Sequence, residues 1–292
     1  MTLGTILRLG RVSNLPTVWT NALAGAALAS GGAPDLATVA WAALALTLYY
    51  EGGMWLNDAF DAEIDAKERA NRPIPMGEIG RGTVFAGGYA MLAAGIAIAF
   101  MLGPQAGWAG VALAIAVILY DWLHKRTVLS PVIMGATRFL SYALAALAAG
   151  AVAAPTVTAP ANLLWALTGA VGLFAWIVGL TYAAKQEAYD RIGAAWPLAV
   201  LAVPLLFALW LGLAVPVTLI FWAGLAAVAA FALHRLFRRD PGDVPKAVVT
   251  MIAGVSLYDA ALIASTGATV LAVLAAAGFV LTLALQKVAS GT

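Results

Sequence analysis

Apolar runs long enough to cross a bilayer recur along the whole chain. In the first half they fall near residues 15 to 31, 36 to 57, 83 to 102, 106 to 123 and 129 to 153. In the second half they fall near 161 to 184, 195 to 213, 215 to 233, 244 to 264 and 267 to 286. A hydrocarbon core about 30 Å thick takes roughly 20 apolar residues of helix, so the expected architecture is all-α, a multi-pass transmembrane bundle. It has nine or ten helices according to whether "LGLAVPVT" separates two of them. With 63% hydrophobic and 10% charged residues, little is left for a soluble domain, and residues 1–292 read as one membrane domain. The first run follows the basic residues of "MTLGTILRLGRVSN" without a clear cleavage site and reads as a retained helix.

The distribution of lysine and arginine supports this division, because cations accumulate in cytoplasmic loops. Arg8 and Arg11 precede the first run; Lys67, Arg69, Arg72 and Arg81 lie between the second and third; Lys125 and Arg126 follow the fourth. Lys185 and Arg191 follow the sixth, Arg235, Arg238, Arg239 and Lys246 follow the eighth, and Lys287 ends the tenth. The intervening joints carry none, so both termini and these loops are expected on the cytoplasmic side of the cell membrane. Arg138 alone lies about two turns inside a run, which is costly unless it faces a polar cavity or a partner. No basic run faces solvent, which argues against a nucleic-acid partner. The absence of cysteine excludes disulfides, thiolate zinc sites and a cysteine nucleophile.

The scarce charge concentrates in "WLNDAFDAEIDAKERANRPIPMGEI", residues 55–79. Asp58, Asp61 and Asp65 are spaced i, i+3 and i+7, so on a helix they share one face, with Asn57 one turn before Asp61. Such a stack repels itself unless something positive sits in it. A hard divalent cation is the natural candidate, since magnesium takes oxygen ligands and is usually held by one or two carboxylates with substrate phosphates. Lys67, Arg69, Arg72 and Lys125 would then serve the phosphate oxygens rather than the carboxylates. Glu63 points elsewhere on the wheel and reads as a solvated charge. The plain alternative is an interfacial loop whose charges pair with one another and with lipid headgroups.

These residues resemble the UbiA superfamily of intramembrane prenyltransferases. Its first signature, NDxxDxxxD, is matched by Asn57, Asp58, Asp61 and Asp65, and "NRPIPMGEI" is similar to the usual continuation. "LYDWLHKR" resembles the family's Tyr and Lys tract after the fourth helix, with Tyr120 and Lys125 in it, and "TYAAKQEAYDRIG" stands where a second acidic motif follows the sixth. That second motif differs: Ala183 occupies the place of its first aspartate, and Glu187 comes one position early. The resemblance implies two four-helix halves around a central cavity, with Mg²⁺ as cofactor. It implies isoprenyl diphosphate and a hydrophobic or aromatic acceptor as partners in the lipid bilayer. Asp58, Asp61, Asp65 and Lys185 would be catalytic, and the same aspartates with Glu187 and Asp190 would hold metal. On an unbroken helix Lys185 diverges from Glu187 by about 200° and from Asp190 by about 140°, so the helix must unwind there or only one acid reaches the metal. Asn57, Arg72, Tyr120, Lys125, Arg138 and Asn14 are expected to bind substrate.

The expected activity is Mg²⁺-dependent transfer of a prenyl group to an acceptor within the membrane. Cyclisation of the prenyl chain is a same-fold alternative. A cation-coupled transporter is the rival from another class, since intramembrane acids and an arginine also build ion paths; a catalytically silent lipid-binding protein is a third. Glu51, Asn21 and Asp259 read as packing polar residues, and His124 and His234 as solvated or headgroup-facing groups.

Overall fold

The computed structural model describes residues 2–152, 159–185 and 194–287. It is all-helical over these residues. A short helix α1 (Leu3–Gly10) precedes ten long ones: α2 (Leu15–Ala29), α3 (Leu36–Glu68), α4 (Arg81–Met101), α5 (Pro104–Leu123), α6 (Ser130–Val152), α7 (Ala159–Lys185), α8 (Ala202–Ala214), α9 (Thr218–Arg238), α10 (Asp243–Ser265) and α11 (Thr269–Gln286). Ten of the expected runs are therefore ten separate helices, and α8 and α9 part at Pro216. Eight of them are long and apolar enough to cross a membrane on length and composition alone. Their outward residues, among them Trp108, Leu164, Leu213, Ile220 and Val280, are exposed and apolar, as a lipid-facing surface requires.

α3 departs most from the expected boundaries. The apolar run ends near residue 57, yet the helix continues to Glu68, so Asp58, Asp61 and Asp65 lie on helix and not in a loop. Its start is fixed by Asp35, whose carboxylate accepts from the Thr38 N–H at 2.8 Å and the Thr38 hydroxyl at 2.6 Å. At 1.5 Å per residue it is about 50 Å long, roughly 20 Å more than the hydrocarbon core. Its acidic end can thus reach the interface without breaking the backbone ladder.

α2 is the hub, packed on α3, α6, α7, α10 and α11. Its approach to α6 is close because Gly25 has no side chain: a Cβ there would lie 2.7 Å from the Tyr142 carbonyl. Small residues at crossings are how membrane helices gain contact without a hydrophobic driving force between them. α10 is buried along most of its length between α2, α7, α9 and α11. Asp259 in it accepts from Asn21 Nδ2 at 2.8 Å and from the Tyr142 hydroxyl at 2.7 Å, tying α10 to α2 and α6.

α1 was not legible as a helix. Thr2 caps it, accepting from the Thr5 N–H at 3.2 Å, and Leu9 packs with Trp55, Ala59, Ile79 and Val84. Arg8 and the Thr5 hydroxyl both bond Glu78, which holds that carboxyl below its ordinary range. Since Glu78 is depressed in the folded state, its contribution is present above its unfolded pKa and is lost as pH falls through the lower folded value. Glu78→Ala should therefore speed amide hydrogen exchange across α1 by roughly two- to fivefold at neutral pH, the scale of an exposed ion pair. Hydrogen-exchange mass spectrometry of that segment checks this; unchanged exchange would mean α1 is held by its apolar face alone.

Candidate active site at the end of the third helix

Arg11 starts the site. It ends α1 in the left-handed region at φ 46°, a conformation costly for a residue with a side chain. The turn swings the chain from α1 towards α2, and the Arg11 guanidinium lies 2.8 Å from Asp58 Oδ1 and 3.3 Å from Asn57 Oδ1. Arg72 arrives from the segment between α3 and α4. Its guanidinium lies 2.5 Å from Asp58 Oδ1 and 3.3 Å from Asp65 Oδ2. Burial and then the neighbouring Arg11 charge lower Arg72 from its ordinary value, while Asp58 and Asp65 oppose the shift. From the end of α5 and the turn after it come Lys125 Nζ, 3.0 Å from Asp61 Oδ2, and His124 Nε2, 3.2 Å from the same atom. Tyr120 stacks on the His124 ring at 5.2 Å.

The three aspartates of the motif and Asn57 are all buried on one face of α3, as their spacing required. The cations are used differently from the expectation. Arg72 and Lys125, assigned to phosphate, are paired with carboxylates, because a stack of buried acids needs a countercharge in contact with it. His124 likewise reaches Asp61 rather than solvent. Glu63 is exposed and pairs with Arg81 at 3.0 Å, as a solvated charge would. Asp121 was missed altogether: it is buried on α5 and accepts from Asn57 Nδ2 at 3.2 Å.

Arg138 and Asn14 have their partners elsewhere. Arg138 points inward, donating to Asn21 Oδ1 at 2.9 Å, with its guanidinium 5.9 Å from the Tyr50 ring centre. It is a tie from α6 to α2, one step from Asp259. Asn14 Oδ1 accepts from Gln286 Nε2 at 2.6 Å and so joins the start of α2 to α11. Lys185, the last residue of α7, donates to the Thr127 carbonyl at 3.1 Å, in the segment that carries Lys125. Glu187 and Asp190 lie outside the described residues.

Beside the acids opens a cavity of about 480 Å³ lined by Arg8, Arg11, Arg69 and Arg72, with Asp58, Asn71 and Ala184 among the other walls. Four guanidinium groups and one carboxylate line it, and arginine's planar fork is suited to phosphate oxygens. Among the described residues no three acidic or histidine side chains converge closely enough to hold a metal by themselves. Among the described residues the buried Asp121 Oδ2 nevertheless has no hydrogen-bond partner, and Asp65 Oδ2 has only its ion pair with Arg72. That donor set fits a hard cation that takes part of its shell from phosphate.

The chain is similar to known proteins in sequence and in fold. The chain is 32% identical over 101 residues to digeranylgeranylglyceryl phosphate synthase of Thermococcus kodakarensis, covering 35% of this chain and 36% of that one. It is 37% identical over 124 residues to protoheme IX farnesyltransferase 1 of Cenarchaeum symbiosum, covering 41% and 42%. These matches span less than half the length of either curated relative. In fold it is similar to a solved structure of digeranylgeranylglyceryl phosphate synthase, at TM-score 0.63 and 19% identity over 90% of this chain and 98% of that one. It is also similar to the apo structure of a UbiA homologue from Aeropyrum pernix K1, at TM-score 0.56 and 18% identity over 94% and 98%. The model of the UbiA prenyltransferase family matches residues 18–255, most of the chain, and the protein belongs to that family.

Proposed function

We propose that the chain transfers a prenyl group from an isoprenyl diphosphate to a hydrophobic or aromatic acceptor inside the membrane, with the diphosphate seated in the arginine-lined cavity. The observation that carries this reading is the pairing of that cavity with a stack of buried carboxylates at the interfacial end of a membrane helix. A transporter site would be expected near the bilayer midplane on broken helices, whereas α3 is continuous through the acids.

In the reaction the C1–O bond of the prenyl diphosphate breaks heterolytically and its electron pair leaves with the diphosphate. The allylic cation is captured by the acceptor nucleophile, which then gives up a proton. Negative charge grows on the leaving group, so Arg11, Arg69 and Arg72 stabilise the transition state more than the ground state. Asp58, Asp61 and Asp65 would hold Mg²⁺, with Glu187 or Asp190 as further donors, and bound Mg²⁺ would neutralise part of the charge on the departing diphosphate. Arg11, Arg72 and Lys125 move from carboxylate to phosphate partners as the substrate enters. Lys185, beside Ala184 on the cavity wall, would add one more cation. Tyr120 keeps the His124 ring in place against Asp61. Asn14 and Arg138 shape the interior beyond the acids. The site and both termini would face the cytoplasm in the cell membrane, on the strength of the arginine and lysine distribution.

Mass spectrometry of lipid extracts incubated with the bilayer-embedded protein and a prenyl diphosphate tests the transfer. A prenylated acceptor is expected; a product formed equally without any extract would instead mean cyclisation. Lys185→Ala is expected to raise KM for the prenyl diphosphate by about tenfold, the value of one charge-assisted contact, with kcat little changed. An unchanged KM would confine Lys185 to its bond with Thr127.

A further inference from the structure

Asp121 belongs neither to the acidic motif of α3 nor to the segment after α7. It is 3% exposed, in the last turn of an otherwise apolar helix. Its Oδ1 accepts from Asn57 Nδ2 at 3.2 Å, while its Oδ2 is buried without a hydrogen-bond partner among the described residues. A carboxylate oxygen removed from water with no donor is destabilising unless something else is to occupy it.

The charges around it do not balance. Asp58, Asp61 and Asp65 are in contact with Arg11, Arg72, Lys125 and the His124 imidazole. Asp121 has no cationic side chain in contact among the described residues, although Arg11 on one side and Asp61 and Asp58 on the other are close enough to act on it electrostatically. Asn57 stands between the two sets: its Nδ2 donates to Asp121 while its Oδ1 accepts from Arg11. Among the described residues Asp121 is thus left without a paired cation at the face where α5 meets α3. A lysine or arginine side chain in contact there would fill the gap permanently, and among the described residues none does.

We propose that Asp121 is a further ligand of the divalent cation, taking it through Oδ2, and that through Oδ1 it fixes the orientation of the Asn57 amide. This rests on the prenyl diphosphate reading, and it adds a donor from α5 to those of α3. The cation would then join two helices, so that metal binding is also a clamp between α3 and α5. The structural alternative, a carboxylate satisfied by a trapped water, gives the opposite result in a substitution that keeps shape and removes charge.

Asp121→Asn is that substitution, since its amide oxygen can still accept from Asn57 Nδ2. The test is Mn²⁺ binding followed by electron paramagnetic resonance on the full chain in detergent, with inorganic diphosphate present, alongside melting in metal-free buffer. Groups that only hydrogen-bond to a metal's ligands change affinity by about 10- to 100-fold, so loss of a direct donor should cost Mn²⁺ affinity roughly tenfold or more. Melting in metal-free buffer should be unchanged or higher, because an unpartnered buried charge has been removed. Unchanged Mn²⁺ affinity, or a lower melting temperature without metal, overturns the assignment. Loss of Mn²⁺ binding in Asp58→Asn with none in Asp121→Asn would overturn it while leaving the prenyl diphosphate reading in place. Absence of Mn²⁺ binding by the unsubstituted protein with diphosphate would overturn both.

Discussion

Asp58→Asn should lower turnover of a prenyl diphosphate by about 10²- to 10³-fold, the loss seen when one preorganised electrostatic group is removed from a transition-state site. The chain should stay folded and KM should not rise. Among the described residues Asp58 is the one carboxylate that contacts both Arg11 and Arg72. Neutralising it leaves two guanidinium groups beside a cavity already lined by Arg8 and Arg69, so an anionic substrate is held at least as well. What is lost is the negative centre that would anchor a cation against the leaving diphosphate. A fall confined to kcat is therefore the signature, whereas Arg72→Ala should act mainly on KM. Steady-state kinetics on both variants separates the two roles, and near-normal kcat in Asp58→Asn would remove Asp58 from the metal assignment.

Gly25→Leu should have the largest effect on stability. The missing Cβ lies 2.7 Å from the Tyr142 carbonyl and 3.1 Å from the Ala145 Cβ, so a side chain at this position meets backbone that cannot rotate away. Overpacking of a well-filled contact is destabilising by about 1–3 kcal/mol, and more where nothing can yield. The displacement would also pull Tyr142 from Asp259 and Asn21 from the same carboxylate, leaving polar groups unsatisfied in the membrane interior. A marked fall in melting temperature in detergent is expected for Gly25→Leu. Gly77→Ala should be close to neutral in packing, since nothing lies within 4 Å of its Cβ position, although its φ of 73° still disfavours a side chain. Equal melting of Gly25→Leu and the unsubstituted protein would mean that α2 and α6 are not closely packed in the folded chain.

Most of the helices were legible because eight of them are long and apolar enough to cross a bilayer, and hydropathy reads that directly. The shared face of Asp58, Asp61 and Asp65 was legible too, since i, i+3, i+7 spacing fixes direction once a helix is assumed. Three features were hidden for physical reasons. α3 outlasts its apolar run by three turns, and charged residues in a helix that leaves the membrane give no hydropathy signal. Arg11 bends the backbone through the left-handed region, where glycine or asparagine would have announced the turn. Asp121 looks like one stray acid in "LYDWLHKR" until α3 and α5 pack and bring it to Asn57. The pairing of Arg72 and Lys125 with carboxylates was not legible, because it arises only when α3, the segment after it and the end of α5 pack together.

Release of diphosphate by the protein in bilayers, measured across prenyl diphosphates of C10 to C40 with and without Mg²⁺, tests the central claim most directly. The account predicts Mg²⁺-dependent release from at least one chain length, lost in Asp58→Asn and in Asp61→Asn. Release from none of them in the presence of a lipid extract, or release that persists without Mg²⁺ and in both variants, would contradict it.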